Sequence, residues 1–120
     1  VTTARKKESF LKKRSKEEFV EELRKHFNSH VLEAYIFGSF NTDEFNADSD
    51  LDLLIVANTD IKFHERYILF PELDNFFQKE KIQFDLIIYT PHEFKKLTEE
   101  GKNSTVGFWT SFVRTSKKIQ

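Results

Sequence analysis

The sequence predicts an α/β (α+β) fold, a small mixed β-sheet flanked by helices. Three apolar runs of strand character, Val31 to Phe37, Asp50 to Ala57 and Gln83 to Tyr89, are separated by turn chemistry and by stretches of helical periodicity. The stretch between the second and third runs, Phe63 to Lys81, is long enough for the crossover of a parallel strand pair. Fourteen Phe in 120 residues supply a packed core rather than a disordered chain.

The first helix is expected from about Ser15 to Asn28. Ser15-Lys16-Glu17-Glu18 has the form of a capping box, and Phe19, Val20, Leu23 and Phe27 recur at helical spacing behind it. Residues 1–14 read as a basic tail or a helical extension, and residues 15–120 as one domain. Strand one then ends at Gly38, and polar turn residues from Asn41 to Asp48 lead to strand two. In Phe63 to Lys81, Pro71 either kinks a helix or starts a new one after a short helix ending near Leu69. Strand three is followed by a helix opened by Thr90-Pro91-His92-Glu93, a second capping box, and closed by Gly101. A last helix, from about Ser104 to Arg114, carries Phe108, Trp109 and Phe112.

Composition excludes several classes. With no Cys there is neither a disulfide framework nor a thiolate metal site, and no apolar run is long enough for a signal or a span, which predicts a soluble, cytoplasmic protein without membrane partners. The net charge of −1 gives no global basic field for nucleic acid. The charge is unevenly spread: Val1 to Arg14 holds six Lys or Arg against one Glu, and Phe40 to Asp60 holds six Asp or Glu and no basic residue. The basic clusters at 5–7 and 12–14 could touch RNA or a partner's acidic face, and a solvated tail is their default reading.

The acidic block contains the chemistry. Tyr35-Ile36-Phe37 stops at Gly38-Ser39, where a residue without Cβ lets backbone amides approach a phosphate. After ten intervening residues Asp50-Leu51-Asp52 runs into Leu53-Leu54-Ile55-Val56. In an extended strand Asp50 and Asp52 share one side and Leu51, Leu53 and Ile55 the other. Two carboxylates so placed repel each other unless a cation lies between them, and an all-oxygen donor set suits Mg²⁺ or Mn²⁺. A third carboxylate, Asp85, interrupts the apolar run Phe84 to Ile88 where a core side chain would be expected. If strands one and two are antiparallel and strands two and three parallel, the glycine turn and all three aspartates meet at one end of the sheet.

Other readings of these residues fit less well. Asp48 to Asp52 superficially opens like an EF-hand loop, but Leu53 stands where that loop requires Gly and no Glu occupies its last ligand position. His26 and His30, four apart, lack a third zinc ligand. Phe108, Trp109 and Phe112 are most simply core, with part of them available as a partner surface.

Gly38-Ser39, then Asp50-x-Asp52, then an isolated Asp85 on a later strand resembles the nucleotidyltransferase superfamily of DNA polymerase beta, and most of all its minimal nucleotidyltransferases. The likeness spans Val31 to Tyr89 by motif and nearly the whole chain by element order. It implies that Asp50 and Asp52 hold two divalent ions, that Asp85 completes one of those sites, and that Gly38 and Ser39 bind the triphosphate of an NTP, ATP foremost. It also implies a helical HEPN-type partner, with the chain acting as its antitoxin by transferring AMP to a partner hydroxyl, or by binding alone. The possibility of an oligomer stays open. Transfer onto RNA or a small molecule resembles larger relatives that carry an additional acceptor-binding domain. One departure stands out: minimal members often carry a basic residue and a glycine shortly after Gly-Ser, and this chain has Phe40-Asn41-Thr42-Asp43-Glu44.

Overall fold

Ser15 opens the first helix by accepting a hydrogen bond from the Glu18 amide at 3.1 Å, as the capping box requires. The computed structural model describes residues 15–45, 49–58, 70–101 and 107–120. The basic tail, the first part of the crossover stretch and the expected start of the last helix lie outside them.

Helix α1 spans Lys16–Arg24 and buries Phe19 and Leu23. It is shorter than the periodicity implies. Lys25, His26 and Phe27 donate to the carbonyls three residues back, a tightened final turn, and Asn28 Oδ1 then accepts the His30 amide at 2.8 Å to turn the chain into the sheet. Strand β1 is Val31–Phe37. A short 3₁₀ helix, Gly38–Asn41, follows directly. Strand β2 is Leu51–Ala57, so Asp50 stands just outside it.

Helix α2, Pro71–Glu80, has Pro at its first turn, and Phe70 before it is non-helical, so Pro71 begins a helix rather than kinking one. Strand β3 is Phe84–Tyr89. Helix α3 is Pro91–Gly101, with the expected reciprocal cap: Glu93 N donates to Thr90 Oγ1 at 3.2 Å and Thr90 N to Glu93 Oε1 at 3.0 Å. The Trp109 ring occupies the place that a Cβ on Gly101 would need, which joins α3 to helix α4, Phe108–Thr115. A two-residue strand β4, Lys117–Lys118, follows α4. The sequence does not announce β4, because a Lys-Lys pair carries no apolar alternation.

The strands form one four-stranded sheet in the order β3-β2-β1-β4. β1 pairs antiparallel with β2 and with β4, and β2 pairs parallel with β3. This is the mixed sheet expected. Helices cover both faces. On one, Phe19, Leu23, Leu73, Phe76 and Phe77 pack with Leu51, Leu53 and Ile55; on the other, Leu54 and Val56 pack with Phe37 and Phe112, flanked by Phe94 and Trp109. β2 is therefore buried on both sides, which accounts for its unbroken apolar run. No helix of the described residues is long and apolar enough to cross a membrane.

Candidate active site

Asp52 is the second residue of β2 and the point where three elements meet. Its register partner across the antiparallel pair is Phe37, and across the parallel pair it is Asp85. Since paired residues share a sheet face, the parallel crossover puts the two carboxylates side by side. Burial, first of all, then the charges of Asp85 and Asp50, push the Asp52 carboxyl up to about 6. Asp50 thus acts on Asp52 through its charge.

The three aspartates are not equivalent. β3 is an edge strand and Asp85 is exposed, so the expected core position is a rim position, and the desolvation falls on half-buried Asp52 instead. Among the described residues no three His, Cys, Asp or Glu side chains are gathered tightly enough to hold a metal ion as they stand. The neighbours that raise Asp52 are carboxylates, and an all-oxygen donor set of this kind fits a hard divalent cation.

On the other flank of Asp52 the chain leaves β1 through Gly38, whose φ is +77°. A Cβ built there would overlap Asp52 Oδ2, so glycine serves both the left-handed backbone and the close approach of the turn to the carboxylate. The turn is held from outside. The Gly38 amide donates to Thr115 Oγ1 at 2.8 Å, and that hydroxyl donates to Ser111 O at 2.8 Å. Asn41 Nδ2 donates to Ile36 O and to Thr115 O, both at 2.7 Å. Ser39 O accepts from the Thr42 amide at 3.0 Å and from Thr42 Oγ1 at 2.9 Å, while Ser39 Oγ makes no hydrogen bond among the described residues.

Of the residues picked out by the sequence, Gly38 lies against Asp52 on the flank opposite Asp85, and Ser39 follows it in the turn. The Gly38 amide, however, is turned to Thr115, and what Gly38 contributes is the tight turn. Thr115 and Asn41 escape sequence reasoning because the Gly38–Thr115 bond joins residues 77 apart in the chain. The His26 ring packs on Phe76, with centroids 4.6 Å apart.

Residues 17–106 match the protein family described as polymerase beta, nucleotidyltransferase. No curated protein sequence matches significantly. Among solved structures, the fold is similar to a toxin-antitoxin protein crystallised with AMP-PNP, at 14% identity over 89% of this chain and 73% of that one, with a TM-score of 0.52. It is similar, too, to a mutant of the toxin-antitoxin MntA-HpeT, at 15% identity over 89% of this chain and 73% of that one, again with a TM-score of 0.52. At these identities the likeness is one of fold.

Proposed function

Because the chain belongs to the polymerase beta family of nucleotidyltransferases, we propose that it transfers AMP from ATP to a hydroxyl on a partner protein, with residues 15–120 as the catalytic domain. The observation that carries this reading is the alignment of Asp85, Asp52 and the Gly38 turn along one sheet edge, two carboxylates on one flank and a small-residue turn on the other.

The hydroxyl oxygen of the acceptor attacks the α-phosphorus of ATP, the bond from that phosphorus to the bridging oxygen of pyrophosphate breaks, and pyrophosphate leaves with the bonding electrons. Asp85, exposed at the rim, accepts the proton of the acceptor hydroxyl. Gly38 and Ser39 lie where the β and γ phosphates would be seated, with the Ser39 hydroxyl as donor. Asp50, Asp52 and Asp85 would hold Mg²⁺ or Mn²⁺, which when bound supplies the positive charge that neutralises the phosphates and lowers the hydroxyl pKa.

The partner is inferred from two supports: the solved folds it resembles include toxin-antitoxin proteins, one of them with a nucleotide analogue, and α4 exposes Phe108 and Val113. We take the partner to be a helical toxin of HEPN type. A second reading, antitoxin action by binding alone, is favoured by one observation, the absence of a basic residue from Phe40 to Glu44. The two separate in one experiment. With the purified pair, Mg²⁺ and ATP labelled at the α-phosphate, label is expected on the partner, and Asp50→Asn should stop labelling without dissolving the complex. Protection against toxicity by a variant with all three aspartates replaced, with no label transferred by the native chain, would establish binding alone.

A further inference from the structure

The turn after Gly38 has no basic side chain of its own, yet a cation reaches it from elsewhere in the chain. Lys16, the first residue of α1, donates from Nζ to Phe40 O at 2.6 Å and to Thr42 O at 3.0 Å. Its ammonium also lies 5.1 Å from the centroid of the Phe40 ring and 5.7 Å from that of Phe45. The group is half-buried, so these charge-assisted bonds are less screened than surface contacts.

Two carbonyls at the end of a four-residue 3₁₀ helix are otherwise poorly satisfied, because so short a helix offers few internal donors. We propose that Lys16 is a positioning residue for the nucleotide: it fixes the far end of the Gly38–Asn41 turn, while Thr115 and Asn41 fix the near end, so that the turn is held against Asp52 before ATP arrives. The proposal rests on the nucleotidyltransferase reading above. It also gives the departure of the Phe40 to Glu44 segment a structural counterpart, since the cation acts on the turn through its carbonyls. Lys16 touches no reacting atom in this role. Its effect is preorganisation: a turn already in its binding conformation loses less entropy when the phosphates dock.

The placement of Lys16 at the first turn of α1 sharpens the point. A lysine is poorly matched to that end of a helix, where the dipole favours acidic residues such as Glu17 and Glu18. Its side chain is directed across to the turn 24 and 26 residues away in sequence.

The test uses the full chain with Mg²⁺ and ATP, and needs no acceptor. Lys16→Met keeps the aliphatic stem against Phe40 and Phe45 but removes the donors; Lys16→Arg keeps charge and donors. Calorimetric titration should show Mg·ATP binding weakened about tenfold in Lys16→Met, a loss of about 1.4 kcal/mol, and largely restored in Lys16→Arg. Amide hydrogen exchange should quicken from Ser39 to Thr42 and stay unchanged from Leu53 to Val56. Unchanged Mg·ATP affinity in Lys16→Met, with only a lower melting temperature, overturns the positioning role and leaves the nucleotide reading standing. A native chain that binds no Mg·ATP overturns the nucleotide reading and this proposal together.

Discussion

The Asp52 carboxylate occupies the space that a side chain on Gly38 would fill: a Cβ at residue 38 would overlap Asp52 Oδ2. The turn and the carboxylate are thus one unit, and a change in either is felt by both. Gly38→Ala meets two obstacles, this overlap and a φ of +77° that a residue with a Cβ adopts only at a cost of about 1–2 kcal/mol. We expect a loss of about 2 kcal/mol or more in urea denaturation, together with loss of Mg·ATP binding. A variant that binds Mg·ATP as the native chain does would show that the turn and Asp52 need not touch.

Asp52 links the site to pH. Its folded-state carboxyl is raised from 3.8 to about 6, so the folded protein holds this proton more tightly than the unfolded chain does. The stabilising contribution is complete below about pH 4 and is lost as the pH rises through about 6. Asp52→Asn removes the ionised form and should raise the melting temperature of the metal-free protein at pH 7 to 8, with the gain vanishing near pH 4. Mg²⁺ should stabilise the native chain and not the variant. A variant that melts below the native chain at pH 8 would show that the carboxylates are not strained by their proximity.

Asp85 sits opposite Asp52 in the parallel register but on an exposed edge strand, where a neutral isostere is easily accommodated. Asp85→Asn should leave stability within about 0.5 kcal/mol and Mg·ATP affinity within a few-fold, while lowering AMP transfer about 10²–10⁴-fold, the range of general-base contributions. Steady-state transfer measured beside equilibrium binding separates these quantities. Equal losses in both would make Asp85 a binding residue only.

Local signals carry most of what the sequence discloses. The Thr90–Glu93 cap, Pro71 as a helix start and the doubly buried Leu53 to Val56 run all follow from neighbours within a few residues or from the two-residue period of a strand. The unreadable parts depend on contacts across the chain. Lys16 reaches Phe40 over 24 positions, Thr115 reaches Gly38 over 77, and β4 exists only because β1 offers it an edge. The edge position of β3 belongs to the same class, and it is why Asp85 is exposed and Asp52 bears the desolvation.

Lys81 closes α2 in the left-handed region, at φ 58° and ψ 38°, and is the non-glycine residue with positive φ among those described. The left-handed conformation costs a residue with a Cβ about 1–2 kcal/mol, and glycine gives part of that back through its greater freedom when unfolded. Lys81→Gly should therefore raise stability by up to about 1 kcal/mol in urea denaturation. A loss of stability would mean that the lysine side chain holds the α2–β3 connection by contacts that outweigh its backbone strain.

Thr115 ties the candidate site to the C-terminal helix, and a nearly isosteric substitution isolates that link. In Thr115→Val the shape is kept, but Gly38 N–H loses its acceptor and Ser111 O loses a donor. Both groups lie in a half-buried setting, so part of the desolvation penalty of about 1–3 kcal/mol for an unmade bond is expected in the unfolding free energy. The larger effect should be on the nucleotide. With its near end released, the turn can draw away from Asp52, and Mg·ATP affinity should fall while Asn41 still bridges Ile36 O and Thr115 O through main-chain acceptors that the substitution leaves in place. Thr115→Ser, which restores the hydroxyl, should recover binding; if it does not, the methyl packing of Thr115, and not its hydrogen bond to Gly38, is what the turn requires.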